Sequence, residues 1–465
     1  MRAPGAGAVN GRAGQRGPSW LVEPPDTDAL VQPLWSSTAR KRADGVLEVG
    51  GVALTDLALE HGTPTYVVDE VDLRARARAF RDAFAGYDIY YAGKAFLCRA
   101  VARWVVEEGL SLDVCTGGEL AVALAAGVPA ERLGLHGNNK SSAELERALR
   151  AGVGRIVVDS DAEIDRLAGL TARLGVTARV LVRVTAGVEA HTHAYIATAH
   201  EDQKFGFSVA EGNAFAAVRR VLACDGLELR GLHSHIGSQI FDAAGFEVAA
   251  RRVLALHARI ERELGFTAPE LDLGGGFGIA YTTQDDPASP EQLAVELTEI
   301  VTHECRALGI AVPRLAVEPG RAIAGPATCT LYEVGTTKVV PVDGGLVRRY
   351  VSVDGGMSDN IRGSLYGADF SCTLASRRSA AAPVLSRVVG KHCEAGDIIV
   401  KDEFLPADVG PGDLVAVPVT GAYCRSMASN YNHVPRPAVV AVRGGATRVL
   451  LRRETEDDLL RLDVG

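Results

Sequence analysis

A lysine stands directly after an apolar run in the stretch Tyr90-Tyr91-Ala92-Gly93-Lys94-Ala95. The run, Asp88 to Tyr91, reads as a buried strand, and the small residues around Lys94 let something bulky approach its amine. Gly274-Gly275-Gly276 follows a second such run, and Glu318-Pro319-Gly320-Arg321 follows a third. Each has a bland reading: a solvated lysine, a tight turn, a structural ion pair. Together they offer an amine that can form a Schiff base, glycine N–H groups that can reach a phosphate, and a carboxylate for a pyridine nitrogen. Those are the parts of a pyridoxal-phosphate site.

Such residues need a frame that brings distant loops to one place. Strands are expected at 88–91, 111–114, 133–136, 155–158, 179–184, 229–233, 271–273 and 315–318, each a short apolar run of the kind buried on both faces. Helices are expected between them, including Arg99–Glu108, Gly118–Ala126, Ser142–Ala151, Asp161–Leu174, Phe246–Leu264 and Glu291–Leu308. Eight strand–helix units in about 230 residues predict an α/β fold of the (β/α)8, TIM-like barrel kind. A doubly wound sheet is the rival. Gly274–Gly278 reads G-G-G-F-G, which does not fit the G-x-G-x-x-G spacing that sheet would carry.

In a (β/α)8 barrel, active sites lie at the C-terminal strand ends, with phosphate bound after strands seven and eight. The unusual residues fall there. Lys94 follows strand one, Asp113 and Cys115 end strand two, and His136, Asn138 and Asn139 follow strand three. His233-Ser234-His235-Ile236-Gly237-Ser238-Gln239 follows strand six, the triple glycine strand seven, and Glu318–Arg321 strand eight.

A ninth strand at 64–69, preceded by a short helix ending at Gly62, does not fit the barrel. Beyond Arg321 valine, threonine, glycine and proline rise and strand-like runs recur, at 328–334, 336–341, 347–353, 384–389, 397–400, 414–419, 437–443 and 446–452. The expected organisation is a disordered extension over 1–32, a cofactor-binding barrel over 69–321, and an all-β domain, sandwich- or barrel-like, made of 33–68 with 322–465. The barrel is then inserted within the β domain's sequence.

The formal net charge of −9 argues against nucleic-acid or anionic-membrane partners, and the apolar runs are too short to span a bilayer. Residues 1–19 lack the apolar centre of a secretory signal. Eight cysteines without a Cys-x-x-Cys pair suggest neither a zinc framework nor a disulfide scaffold, which points to the cytoplasm. His233-Ser234-His235 could bind a divalent metal, but the additional ligands would have to come from His191, His193 and His200 in a long polar insertion. No metal is expected.

Beyond these loops the chain carries Asp354-Gly355-Gly356-Met357-Ser358-Asp359-Asn360-Ile361-Arg362, Cys393-Glu394-Ala395-Gly396-Asp397 and Gly421-Ala422-Tyr423. With Tyr91–Ala95, His233–Gln239, Gly274–Gly278 and Glu318–Arg321, in this order, the chain from about Pro33 onward closely resembles the meso-diaminopimelate decarboxylase family, fold-type III pyridoxal-phosphate enzymes that complete bacterial lysine synthesis. The insertion Gly187–Phe207 resembles the actinobacterial branch. The resemblance implies that Lys94 holds the cofactor, His235 stacks on its ring, and Ser238, Gly274, Gly275, Gly276 and Tyr423 hold its phosphate, with Gly320 and Arg321 also in the cofactor site. It implies that Glu318 pairs with the pyridine nitrogen, which makes the ring an electron sink. Arg321, Arg362 and Tyr366 would bind a substrate carboxylate, Glu394 the distal ammonium, and Tyr423 would also touch substrate. Cys393 would return a proton to the α-carbon. In the family Cys393 and Glu394 come from the second subunit, so a homodimer with shared sites is implied. One departure is Arg362-Gly363-Ser364, where the family usually has Pro-Ala after the arginine; a glycine there is expected to loosen the turn holding Arg362.

Two rival functions remain to be weighed. A decarboxylase for ornithine or arginine would have no distal carboxylate to bind, against which the Arg362–Tyr366 stretch argues. A non-catalytic relative should have lost Lys94 or Cys393, and both are present.

Overall fold

The computed structural model describes residues 17–187, 204–342 and 346–465. The chain divides into two compact units: Arg74–Gly278 with Pro287–Ala322 in one, and the chain through Leu73, Ile279–Asp286 and Ile323–Gly465 in the other.

The first unit is a closed barrel. Its eight parallel strands are β1 (Asp88–Ala92), β2 (Ser111–Val114), β3 (Leu133–Leu135), β4 (Arg155–Val158), β5 (Ala178–Thr185), β6 (Leu227–Ser234), β7 (Glu270–Asp272) and β8 (Arg314–Val317). Each pairs with the next, and β8 returns to β1, where Ala316 lies opposite Asp88 and Val317 opposite Ile89. Val180, Leu181, Val182, Leu232 and Leu271 are fully enclosed, as expected of strands covered on both faces. The helices between them start where the sequence satisfies their free N–H groups. Ser141 and Ser289 each form a capping box, with Glu144 and Gln292, at Ser142–Ala151 and Pro290–Leu308.

The second unit is built on a nine-stranded sheet. The strand Thr65–Asp69, buried along its whole length, pairs antiparallel with Thr328–Val342 and parallel with Ala438–Arg443. The strand preceding the barrel therefore belongs to this sheet, as expected. The two strands expected at 328–334 and 336–341 are one strand of 15 residues with a register shift between Val334 and Thr336. Its first half pairs with Leu414–Val417 and its second with Leu346–Val353.

Three features depart from the sequence reading. Residues 40–41, 47–49 and 52–53, read as turn-rich chain, form a small antiparallel sheet. The extension expected to be disordered through residue 32 is packed from Trp20 onward, with Leu21 buried against Leu385 and Phe404. Ile279–Asp286, expected within the barrel domain, groups with the β unit. Residues 1–16 and most of the Gly187–Phe207 insertion, with His191, His193 and His200, lie outside the described residues.

Candidate active site

The loops after β1, β6, β7 and β8 interlock. Gly275 N–H donates to His235 Nδ1 at 3.1 Å, Glu318 N–H to the Gly274 carbonyl at 2.9 Å, and Arg321 Nη2 to Ser238 Oγ at 2.6 Å. Gly320 lies so close to β1 that a Cβ on it would stand 2.9 Å from the Cβ of Ala92. The triple glycine is required by the same crowding. A Cβ on Gly274 or Gly275 would collide with the Ser234 or Glu318 carbonyl, and Gly276, at φ +114°, would put one 2.7 Å from the Gly237 carbonyl. Lys94, His235, Ser238, Gly274–Gly276, Glu318, Gly320 and Arg321 are thus gathered at one end of the barrel.

The electrostatics are those of a site prepared for a charged ring. Burial would raise the Glu318 carboxyl, but His233, with Nε2 3.0 Å from Oε1, together with His136 and Lys94, holds it well below the usual carboxylate range. His235 is pulled well below its ordinary value by burial and by the positive charges of Lys94 and Arg183, so its ring is neutral. Asp113 moves the other way, raised by burial and by Glu318, while its Oδ1 lies 2.7 Å from His136 Nδ1. Burial pushes the Cys115 thiol up to about 12, which removes it as a nucleophile. An ionised buried carboxylate, a neutral imidazole and a lysine close enough to act on both fit a pyridoxal-phosphate group: acceptor, stacking ring and amine are all present.

The remaining expected residues lie in the β unit. Arg362 opens the short helix Arg362–Tyr366 and is 5% exposed. Its Nη1 donates to the Tyr281 hydroxyl, its guanidinium carbon lies 4.5 Å from the Tyr281 ring centre, and its buried Nε has no hydrogen-bond partner among the described residues. A buried guanidinium donor of this kind is suited to an anion. The expectation that Gly363 loosens this turn is not met. Gly363 seats the helix against the Ile398 carbonyl, where a Cβ would not fit, and Ser364 Oγ donates to the Gly396 carbonyl at 2.6 Å. Tyr366 and Tyr423 are half-buried; Tyr423 holds φ at +63°, a conformation costly for a bulky residue and concentrated at functional sites. Cys393 and Glu394 are exposed in the single chain. Their loop is fixed by Asp397, which accepts from the N–H groups of Met357 and His392 at 2.6 and 2.8 Å, and Tyr431 donates to Glu394 Oε1 at 2.5 Å.

Sequence reasoning missed several of these contacts. Inside the barrel, Arg155 pairs with Asp272, lies 4.0 Å from Glu318 and stacks 3.5 Å over the Tyr90 ring. The signal was present, since both charges stand within apolar strands and a buried charge needs a partner. His233, Asp272 and Glu318 have ligand atoms within 4.8 Å of one another. The cation they would attract is already supplied by Arg155, so the arrangement does not call for a metal. Among the described residues no helix is long and apolar enough to cross a membrane.

A closed parallel barrel with these groups at one end, joined in sequence to a β unit, is the architecture of the fold-type III pyridoxal-phosphate decarboxylases. Residues 70–325 match the family model "Pyridoxal-dependent decarboxylase, pyridoxal binding domain". The chain is 59% identical over 443 residues to the diaminopimelate decarboxylase of Mycobacterium tuberculosis, covering 94% of this chain and 98% of the relative. It is 46% identical over 431 residues to that of Bacillus subtilis, covering 92% and 97%. The crystal structure of diaminopimelate decarboxylase from M. jannaschii in co-complex with L-lysine superposes with a TM-score of 0.86 at 29% identity, covering 92% of this chain and 98% of that one. The chain belongs to the diaminopimelate decarboxylase family.

Proposed function

We propose that this chain decarboxylates meso-2,6-diaminopimelate to L-lysine and CO2 with pyridoxal 5'-phosphate, the last step of bacterial lysine biosynthesis. The observation that carries the reading is Glu318, a fully buried carboxylate kept ionised at the C-terminal end of β8. Bound pyridoxal phosphate supplies an electron sink for the pair left on the α-carbon when CO2 departs. Glu318 would sustain that sink by accepting from the pyridine N–H. An arginine in its place would weaken it. Lys94 would hold the cofactor through its amine, and the uncharged His235 ring would stack on it. Ser238, Gly274–Gly276, Gly320, Arg321 and Tyr423 would hold the phosphate end.

Substrate choice rests on Arg321, Arg362, Tyr366 and Tyr423. The buried Arg362, with its spare Nε donor, supports a carboxylate ligand role. Exposure of Cys393 and Glu394 supports a homodimer in which each chain supplies these two residues to the other's site. Cys393 would give a proton to the α-carbon, and Glu394 would hold the distal ammonium. An exposed thiol that must stay reduced also supports the cytoplasm. The test is to incubate the purified protein with pyridoxal phosphate and meso-diaminopimelate and follow CO2 and lysine. The wild-type chain should form both, and Lys94→Ala should form neither and lack the visible absorption of covalently held cofactor. Product formation by Lys94→Ala at the wild-type rate would overturn the assignment.

A further inference from the structure

We infer that His233 is the positioning residue for Glu318, fixing which carboxylate oxygen faces the pyridine nitrogen. This rests on the reading of Glu318 given above. His233 lies near the end of β6 and is 1% exposed. His233 faces Glu318, whereas His235 lies just past the strand end, where it would meet the cofactor. Its Nε2 stands 3.0 Å from Glu318 Oε1, and its Nδ1 has no hydrogen-bond partner among the described residues. Nε2 faces Glu318, and an ionised carboxylate only accepts, so Nε2 carries the hydrogen.

Arg155 is the competing candidate, and distance decides between them. Its guanidinium is engaged with Asp272 and stacked on Tyr90, and at 4.0 Å from Glu318 it acts as a charge without direction. His233 makes a directed bond at ordinary hydrogen-bond length. It occupies Oε1, leaving Oε2 for the ring N–H, and removes the rotational freedom that would otherwise let Glu318 turn toward Arg155.

The test compares two amides of equal polarity and different reach. Gln at position 233 carries its N–H near the place of Nε2, whereas the amide of Asn stops at the place of Nδ1. Holoenzyme is loaded with cofactor labelled with 15N in the pyridine ring, whose 15N shift reports ring protonation independently of turnover. His233→Asn should move the shift toward the unprotonated value and lower kcat about 10- to 100-fold, the loss expected for a hydrogen bond to a charged group, with KM nearly unchanged. His233→Gln should restore most of both. Equal behaviour of the two variants, or a wild-type shift in His233→Asn, overturns the proposal. Glu318→Gln separates this from the underlying reading: if that variant keeps the wild-type shift, the role of Glu318 falls and His233's with it. If it moves the shift and His233→Asn does not, only His233's role falls. Should His233→Asn not fold, the wild-type holoenzyme still decides: a low-field His233 Nε2–H resonance must be present and must move in Glu318→Gln, and its absence overturns the proposal.

Discussion

Gly363 lies against Ile398 so closely that a Cβ on it would stand 2.5 Å from the Ile398 carbonyl oxygen. A glycine here tightens the seat of the helix carrying Arg362, because the missing side chain lets two backbones approach. Gly363→Ala should therefore cost about 1–3 kcal/mol in stability, the range for overpacking. Displacement of the helix should also raise KM for the substrate. Urea unfolding and steady-state kinetics on the variant check both, and wild-type values in each would show that the helix has room to shift.

The proposed homodimer with shared sites makes a sharper prediction. Lys94→Ala and Cys393→Ala should each be nearly inactive. Unfolded together and refolded, they should form heterodimers in which one site holds an intact Lys94 and an intact Cys393. The mixture should recover up to about a quarter of wild-type activity, half of the dimers being mixed and each having one good site of two. Heterodimers demonstrated by mass but without activity would place the two residues in one chain's site.

The barrel was legible because each of its strands is a short apolar run alternating with a helical stretch, and the positions after those runs could be counted. The small sheet at 40–53 was not, since strands of two or three residues carry no periodicity. Gly335 read as a break between two strands, whereas the chain continues through a register shift at that point. The same limit applies to the site. Residues at strand ends could be placed from topology alone. The partners of those residues could not: His233 and Glu318 are 85 positions apart, Tyr281 and Arg362 are 81, and Arg155 and Asp272 are 117. Closing such distances depends on barrel closure and tertiary packing, which no local pattern encodes.

Asp359 gives a pH dependence with a definite sign. It is 1% exposed, and burial, aided by the charges of Asp354 and Asp397, pushes its carboxyl from 3.8 up to about 7 against the hydrogen bonds from Tyr332 and Gly356. The folded state therefore favours the protonated acid. The stability it contributes is fully present below the unfolded value near 4 and is lost as pH rises through about 7. A shift of that size corresponds to roughly 4 kcal/mol. Asp359→Asn should have a stability offset relative to wild type that grows in the variant's favour across this window, whatever constant cost the amide brings. Urea unfolding of both proteins from pH 4 to 8 measures it, and a pH-independent offset would show that Asp359 does not titrate there.

Selection between the two ends of the substrate must come from the far end, because either amine can react with the cofactor. Only the D-configured end should lose CO2, with the L-configured carboxylate held by Arg321, Arg362 and Tyr366 and its ammonium by Glu394. Tyr281 accepts from Arg362 Nη1 and underlies the guanidinium, while Nε is a buried donor without a partner among the described residues. A substrate lacking the carboxylate leaves that donor unpaired, at a penalty of about 1–3 kcal/mol or more for a charged group. D-lysine, which has the reacting end and no distal carboxylate, should therefore be decarboxylated very poorly. Arg362→Ala should lose most activity on meso-diaminopimelate, about 100-fold, because several charge-assisted bonds go at once. The same variant should narrow the gap between the two substrates, since the group that penalised D-lysine has gone. Comparing kcat/KM for both substrates in wild type and variant tests the two effects separately. An Arg362→Ala enzyme that kept its activity and its full preference would move selection elsewhere, most simply to the Gly187–Phe207 insertion.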